Sequence, residues 1–310
     1  MKQFKRAVKF LAVAAILFFI LHTLVRGLAE LRQYDFNFNW LLLLLSLPVF
    51  LLCNAVSTGA WLWLLKYQGC APIPFLEAYR IWFYSFMGRY VPGKVTLVAL
   101  RAEMAYERGI PRLVTTSVAF VEVAFSTVSA ILLSLPIQFS SYRQFLLPTF
   151  IFLGAAMLGI FFLQSERFVI SVKHHVPGMK GLQPLILPPG LVLGGLLLYA
   201  AYWILAGTAL GLFLASFVQI DLRSLLLIIP SFALACVGGM LVLLMPSGIG
   251  VRELIFATLL QLVFAKELAY AVSVAARVWN TILDLVVLSI IVLWNHVKGH
   301  AAPGISEGGE

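Results

Sequence analysis

"LVLGGLLLYAAYWILAGTALGLFLA", residues 191–215, runs for 25 residues without a charged side chain. At 1.5 Å per residue a helix of that length reaches about 37 Å, more than the ~30 Å of bilayer hydrocarbon. The run is apolar on every face. Only helices and closed barrels satisfy all their backbone hydrogen bonds in lipid, and barrels need short alternating strands. The rest of the chain agrees, with 62% hydrophobic residues, 11% charged residues and a mean hydropathy of +0.99 over 310 residues. The predicted fold class is all-α: an integral, polytopic helical bundle.

Working outward from this run, spans are predicted at 8–27, 40–65, 113–136, 144–164, 190–217, 224–245 and 268–296, about seven in all. The basic start "MKQFKR" looks like a signal peptide, but the apolar run continues to about Leu28 without a small-x-small site, so an uncleaved first span is expected. Residues 1–298 read as a single transmembrane domain and the Gly-rich end 299–310 as a disordered tail.

Two segments resist this pattern. "GRYVPGKVTLVALR", residues 88–101, places Pro92-Gly93 among Arg89, Lys94 and Arg101, with Arg80 nearby. "PSGIGVRELIFATLLQLVF", residues 246–264, offers only about fourteen helical residues after its Pro and Gly opening. Both are too short or too charged to cross alone and read as broken or re-entrant helices. Irregular backbone is tolerated at membrane depth where protein or a water-filled cavity surrounds it. Each break therefore predicts a cavity. The breaks also echo one another: Pro92-Gly93 leads to Arg101 and then to Glu122, while Pro246 and Gly248 lead to Arg252 and then to Arg277. This spacing suggests divergent repeats over about 75–136 and 246–296.

Charge sets orientation. With the amino end inside, sixteen of the twenty-two Lys and Arg residues, Arg252 and Lys266 among them, fall on the inner side and Arg223 on the outer. That asymmetry predicts a multi-pass protein of the cell (inner) membrane with a cytoplasmic amino end. The net charge of +9 then speaks for anionic lipid at that face, with no nucleic acid expected. Cys53, Cys70 and Cys236 have no ligand spacing, and His174-His175 has no acidic neighbours, so no metal site is expected. No nucleophile has a base at a recognisable spacing. The chain is therefore expected to be no enzyme and to need no cofactor.

The polar residues inside spans are the candidates for function. Glu122 shares a helix face with Thr115, Ser126 and Ser129, and the last span carries Arg277, Asn280 and Asp284 at i, i+3 and i+7. Glu122 and Arg277 occupy matching depths, which predicts that they meet or share one cavity, either as an interhelical ion pair or as a gate. Asn54, Ser57, Thr58 and Trp61 form a second stripe suited to holding helices together. Near the breaks, Gly93, Gly248 and Gly250 permit close backbone approach, and free amides are expected at the helix that opens near Val251. With Arg89, Lys94, Arg101 and Arg252 beside them they suit a phosphate, with Glu253 pairing to one of the cations.

These residues carry a resemblance. "GRYVPGKVTLVALRAEMAYERGIP" followed by Glu122, together with "MPSGIGVRE" and the helix containing Arg277, resembles the lysylphosphatidylglycerol synthase transmembrane family, as a stand-alone membrane domain without the aminoacyl transferase. The similarity runs over roughly 8–296, and P-x-G-x-G-x-R-E is its most specific part. It implies a bundle with two broken helices that moves, or helps to make, a charged or glycosylated lipid. By motif it assigns Pro92, Gly93, Lys94, Arg101 and Glu122 in the first half, and Pro246, Gly248, Gly250, Arg252 and Glu253 in the second. Lys94-Val95 stands where symmetry would place a second glycine.

The expected function is a flippase or scramblase for a phospholipid or glycolipid, anionic or polyprenyl-phosphate-linked. Headgroup contacts fall to Lys94, Arg101 and Arg252, with gating by Glu122 and Arg277. Two alternatives stand beside it: a membrane enzyme of lipid or polyprenyl-phosphate modification, and an accessory partner of a separate lipid-modifying enzyme.

Overall fold

The computed structural model describes residues 39–90, 95–141, 151, 153–154, 187–241, 248 and 250–297. All regular structure among them is helical: α1 (Trp40–Tyr67), α2 (Phe75–Phe86), a 3-10 turn (Met87–Tyr90), α3 (Val95–Tyr106), α4 (Arg112–Ser141), α5 (Pro189–Ala215), α6 (Leu222–Leu241), α7 (Val251–Leu260) and α8 (Lys266–Val297). Five of these, α1, α4, α5, α6 and α8, are long and apolar enough to cross a membrane. They match five of the seven expected spans; the span at 8–27 and the tail lie outside the described residues, as does 144–164 apart from 151, 153 and 154.

The long helices pack closely because small residues face large ones. In α1, Asn39 accepts from the amides of Leu41 and Leu42 through its side chain, and its own N–H donates to Ser216 O at 2.6 Å. Farther along the same pair of helices, Cys53 Sγ donates to Tyr202 O, and the Trp63 ring lies against Gly194. α1 and α5 are thus antiparallel. α5 and α6 are antiparallel as well, Gly207 sitting on Ile229 and Gly211 on Leu225. Trp279 fastens α8 to this layer: its ring stacks on Phe213, meets Phe50 edge-on, and its Nε1 donates to Ser46 Oγ at 3.3 Å.

The first broken segment is a helical hairpin. Contacts pair outward from its tip: Gly88 with Leu97, Ser85 with Arg101 and Glu77 with Arg108. At Gly88 an added Cβ would stand 2.7 Å from the Leu97 nitrogen, so the backbones can approach only because that side chain is missing. Each arm has 12 residues, about 18 Å, too little to cross. Its two bases, Glu77 and Arg108, lie together at the α1 end that carries Tyr67.

The second broken segment also turns back. Gly248 and Arg252 lie on Gly239, Ile255 on Gly238, and Phe256 packs edge-on against Phe232 at 5.8 Å between ring centroids. α7 therefore runs antiparallel to α6, toward the end where α6 begins. This corrects the charge count by segment: Lys266 opens α8 at the same end as Arg223, not opposite it, because the break reverses the chain within the bundle. The two hairpins consequently have their bases at opposite ends of α1, one beside Tyr67 and the other beside Asn39, whose N–H reaches the end of α5.

Candidate functional site

Three clusters of buried charge arise from this geometry. In the first, Arg101 on α3 and Glu122 on α4 meet with Nη1 to Oε2 at 2.5 Å, their side chains 4% and 8% exposed. Arg101 Nε donates to Ser85 Oγ at 3.0 Å, and Tyr199 Oη donates to Glu122 Oε1 at 2.7 Å. The guanidinium also lies 5.4 Å from the Trp82 ring and 5.7 Å from Trp61. Both carboxylate oxygens are used, and the cluster is shut off from solvent. A buried pair is tolerable when its remaining hydrogen-bonding capacity is met in this way.

The second cluster joins the hairpin tip to α8. Arg89 Nη2 donates to Asp284 Oδ2, Tyr90 Oη donates to the same oxygen at 2.6 Å, and the Arg89 guanidinium sits 4.1 Å over the Phe86 ring. Arg89 is 19% exposed and Asp284 1%. Unlike Glu122, Asp284 keeps one oxygen, Oδ1, without a partner among the described residues.

The third cluster lies at the second break. Gly250 and Gly248 have φ of +85° and +67°, a region that disfavours side chains, and a Cβ on Gly248 would fall 2.6 Å from Gly239 O. Glu253, three residues into the turn that opens α7, accepts from Gly250 N at 2.6 Å and from Arg277 Nη1 at 3.1 Å. Ser273 Oγ donates to Glu253 O at 2.8 Å. A recess here is lined by Phe232, Arg252, Glu253, Phe256, Ser273 and Arg277. Arg252 is half-buried, 4.8 Å from the Phe232 ring, and has no carboxylate partner among the described residues.

Several expectations take a definite form. Glu253 does pair with a cation, Arg277. Glu122 and Arg277 do not meet: each closes its own short-helix-to-long-helix pair, and Glu122 does not line the recess beside Arg277. Matching depth placed them level, but the partner of each sits on the short helix folded against it. The amides at the start of α7 are not all free, since Glu253 takes that of Gly250. Arg101 is committed to Glu122, while Asn280 Nδ2 donates to Ala276 O at 2.7 Å within its own helix. The stripe of Asn54, Ser57, Thr58 and Trp61 is buried, with Asn54 and Thr58 bonding back along α1. Pro92, Gly93, Lys94 and Pro246 lie outside the described residues.

Tyr199 and Trp203 join this site although the sequence pattern did not single them out. Trp203 Nε1 donates to Ser126 O at 2.8 Å, one turn of α5 beyond Tyr199. Their signal was the i, i+4 spacing of two polar-tipped aromatics facing the stripe of Glu122 and Ser126.

Away from the spans, Arg112 holds Glu103 through two hydrogen bonds of 2.6 and 2.7 Å, which keep the Glu103 carboxyl below its ordinary value. Asp221 is likewise held low by the hydroxyl and amide of Ser224, ahead of α6.

Fold and site together define a polytopic helical membrane protein in which two short helices fold back against long ones, each with a buried ion pair. The chain belongs to the family described as the lysylphosphatidylglycerol synthase TM region, whose profile matches residues 6–287. Comparison with curated proteins gives no match.

Proposed function

We propose that the protein carries phosphate-bearing lipid headgroups across the inner membrane as a flippase or scramblase, with its amino end in the cytoplasm and no catalytic role. The carrying observation is the charge balance of the recess at the second break: it is lined by two guanidiniums, Arg252 and Arg277, and by one carboxylate, Glu253, which is bonded to Arg277. Arg252 is half-buried, with its guanidinium over the Phe232 ring and no carboxylate partner among the described residues, so its charge is available to an anion that enters the recess. A phosphodiester fits because Arg252 presents a planar donor fork close to Gly248 and Gly250, and lipid tails can remain outside among the exposed apolar residues of α6 and α8.

On this reading the two short helices approach from opposite faces, since the first hairpin has its base at the Tyr67 end of α1 and α7 runs back along α6 toward the Asn39 end. Such paired interruptions place a substrate between two halves that rock against each other. Arg89 and Arg252 are the headgroup contacts; Arg101 serves to brace α3 on α4.

The test is reconstitution of the pure protein in liposomes containing a trace of fluorescent headgroup-labelled phosphatidylglycerol, quenched from outside with dithionite. Wild type should lose well over half of the signal and Arg252→Ala only the outer-leaflet half. A plateau at half for both rejects transport of this lipid and favours a role beside a lipid-modifying enzyme.

A further inference from the structure

We propose that Arg89 and Asp284 form an exchange switch that couples each anionic headgroup to one proton: the phosphate takes Arg89, and the Asp284 carboxylate left behind is protonated. This rests on the transport reading above and supplies its energy source.

The two buried Arg–carboxylate–Tyr clusters differ in the property that matters. Around Glu122 both oxygens are occupied and neither partner reaches solvent, so the pair has no cheap way to open. In the Arg89 cluster the cation is the exposed partner, at the tip of a hairpin beside a break. Its Nε is buried and has no partner among the described residues. With 19% of the side chain exposed, a phosphate can reach Arg89 without unpacking α8. Asp284 cannot follow, being fixed on a long helix anchored by Trp279.

Once Arg89 is taken, Tyr90 is the remaining donor to Asp284, and Oδ1 is already bare. A buried carboxylate without its cation is costly to keep ionised, and protonation removes the cost. The surroundings supply no substitute. Arg277, on α8 itself, is engaged by Glu253 of α7, and Arg252 of α7 faces Phe232. Tyr202 of α5 and Cys236 of α6 stand near Arg89 and carry no positive charge, and α1 meets α8 at Trp279 through the uncharged Ser46 and Phe50. The exchange balances: one O–H bond forms on Asp284 with a proton from water on the open face, and the same proton leaves when the phosphate is released and Arg89 returns. A phosphodiester anion and a proton together carry no net charge. The movement should follow a pH difference and ignore membrane potential.

The experiment uses the same proteoliposomes, with protein-free vesicles as blanks. At a difference of one pH unit, coupling of one proton to one lipid allows about tenfold enrichment of labelled phosphatidylglycerol in the alkaline leaflet. A potential set with potassium and valinomycin should leave the distribution unchanged. Asp284→Asn should abolish the response of the distribution to the pH gradient, and Asp284→Glu should restore it. An equal distribution in wild type at every gradient, with translocation intact, overturns the coupling and leaves the transport reading standing. No translocation in wild type overturns both. A parallel arm offers radiolabelled inorganic phosphate to vesicles of phosphatidylcholine; pH-driven accumulation there, with none of the lipid moved, reassigns the anion to free phosphate and rejects the headgroup.

Discussion

Arg101 on a short helix is bonded to Glu122 on the long helix that follows it, and the same relationship recurs with the charges exchanged at Glu253 and Arg277. The chain thus builds one device twice: a short helix folded onto a long one and fixed by a buried ion pair. The two copies differ in what surrounds the pair. The first is sealed by Ser85 and Tyr199, while the second borders a recess containing a further cation, Arg252. A brace and a binding site can arise from one plan in this way.

The first prediction concerns which charges are coupled. Removing one partner of a buried pair strands the other, so Arg101→Gln and Glu122→Gln should each cost about 3–5 kcal/mol in detergent unfolding, and their double mutant much less than the sum. Glu122→Gln with Arg277→Gln should be additive. A coupling energy above about 0.5 kcal/mol between Glu122 and Arg277 would contradict the pairing described.

At the second break, Gly248→Val should abolish lipid movement and lower the unfolding midpoint, because a side chain there meets Gly239 O and requires an unfavourable φ. Gly59→Val on α1 is the matched control, since nothing lies within 4 Å of its added Cβ. Gly194 is unsuitable, its Cβ position being 2.5 Å from Trp63. Equal losses at 248 and 59 would remove the case for close backbone approach.

The hairpin makes a topological prediction. With the native cysteines replaced, Glu77→Cys and Arg108→Cys introduced singly should react with a membrane-impermeant thiol reagent from the same face of oriented vesicles. Introduced together they should be joined by a flexible bifunctional thiol reagent, as the long native side chains meet end to end across the hairpin base. Labelling from opposite faces means that α2 and α3 cross as separate spans.

Acid sensitivity should be slight at Glu103. Its carboxyl titrates below the ordinary 4.5 in the folded chain, so its pairing with Arg112 contributes above that value and is lost as pH falls through the lowered one. Both side chains are exposed, and exposed pairs contribute little. Unfolding midpoints of wild type and Glu103→Gln should differ by a small margin at neutral pH and converge in acid; a constant gap down to low pH would show that the charge is not the cause.

Much of this architecture is written in composition. A run such as 191–215 leaves a helix as its only stable state in lipid, so five spans could be read to within a few residues, and Pro or Gly among charges marked both breaks. The stripes of Glu122, Asn54 and Asp284 were legible because helical spacing puts them on one face, and a charge in a span must turn inward.

Which charges meet was decided elsewhere. Residue spacing fixes position along a helix but not the neighbour across it, and the neighbours here depend on where the chain reverses. The turn after α3 brings Arg101 to Glu122, the turn after α7 brings Glu253 to Arg277, and the second break brings Lys266 to the end shared with Arg223. Arg89 meets Asp284 across 195 positions, a contact that no local pattern encodes because it exists only once the hairpin tip is packed against α8. The sequence by itself determined where charge must be buried; the tertiary structure decided how it is paired, because in a low-dielectric bundle each ion settles with the partner that the folded helices bring within reach.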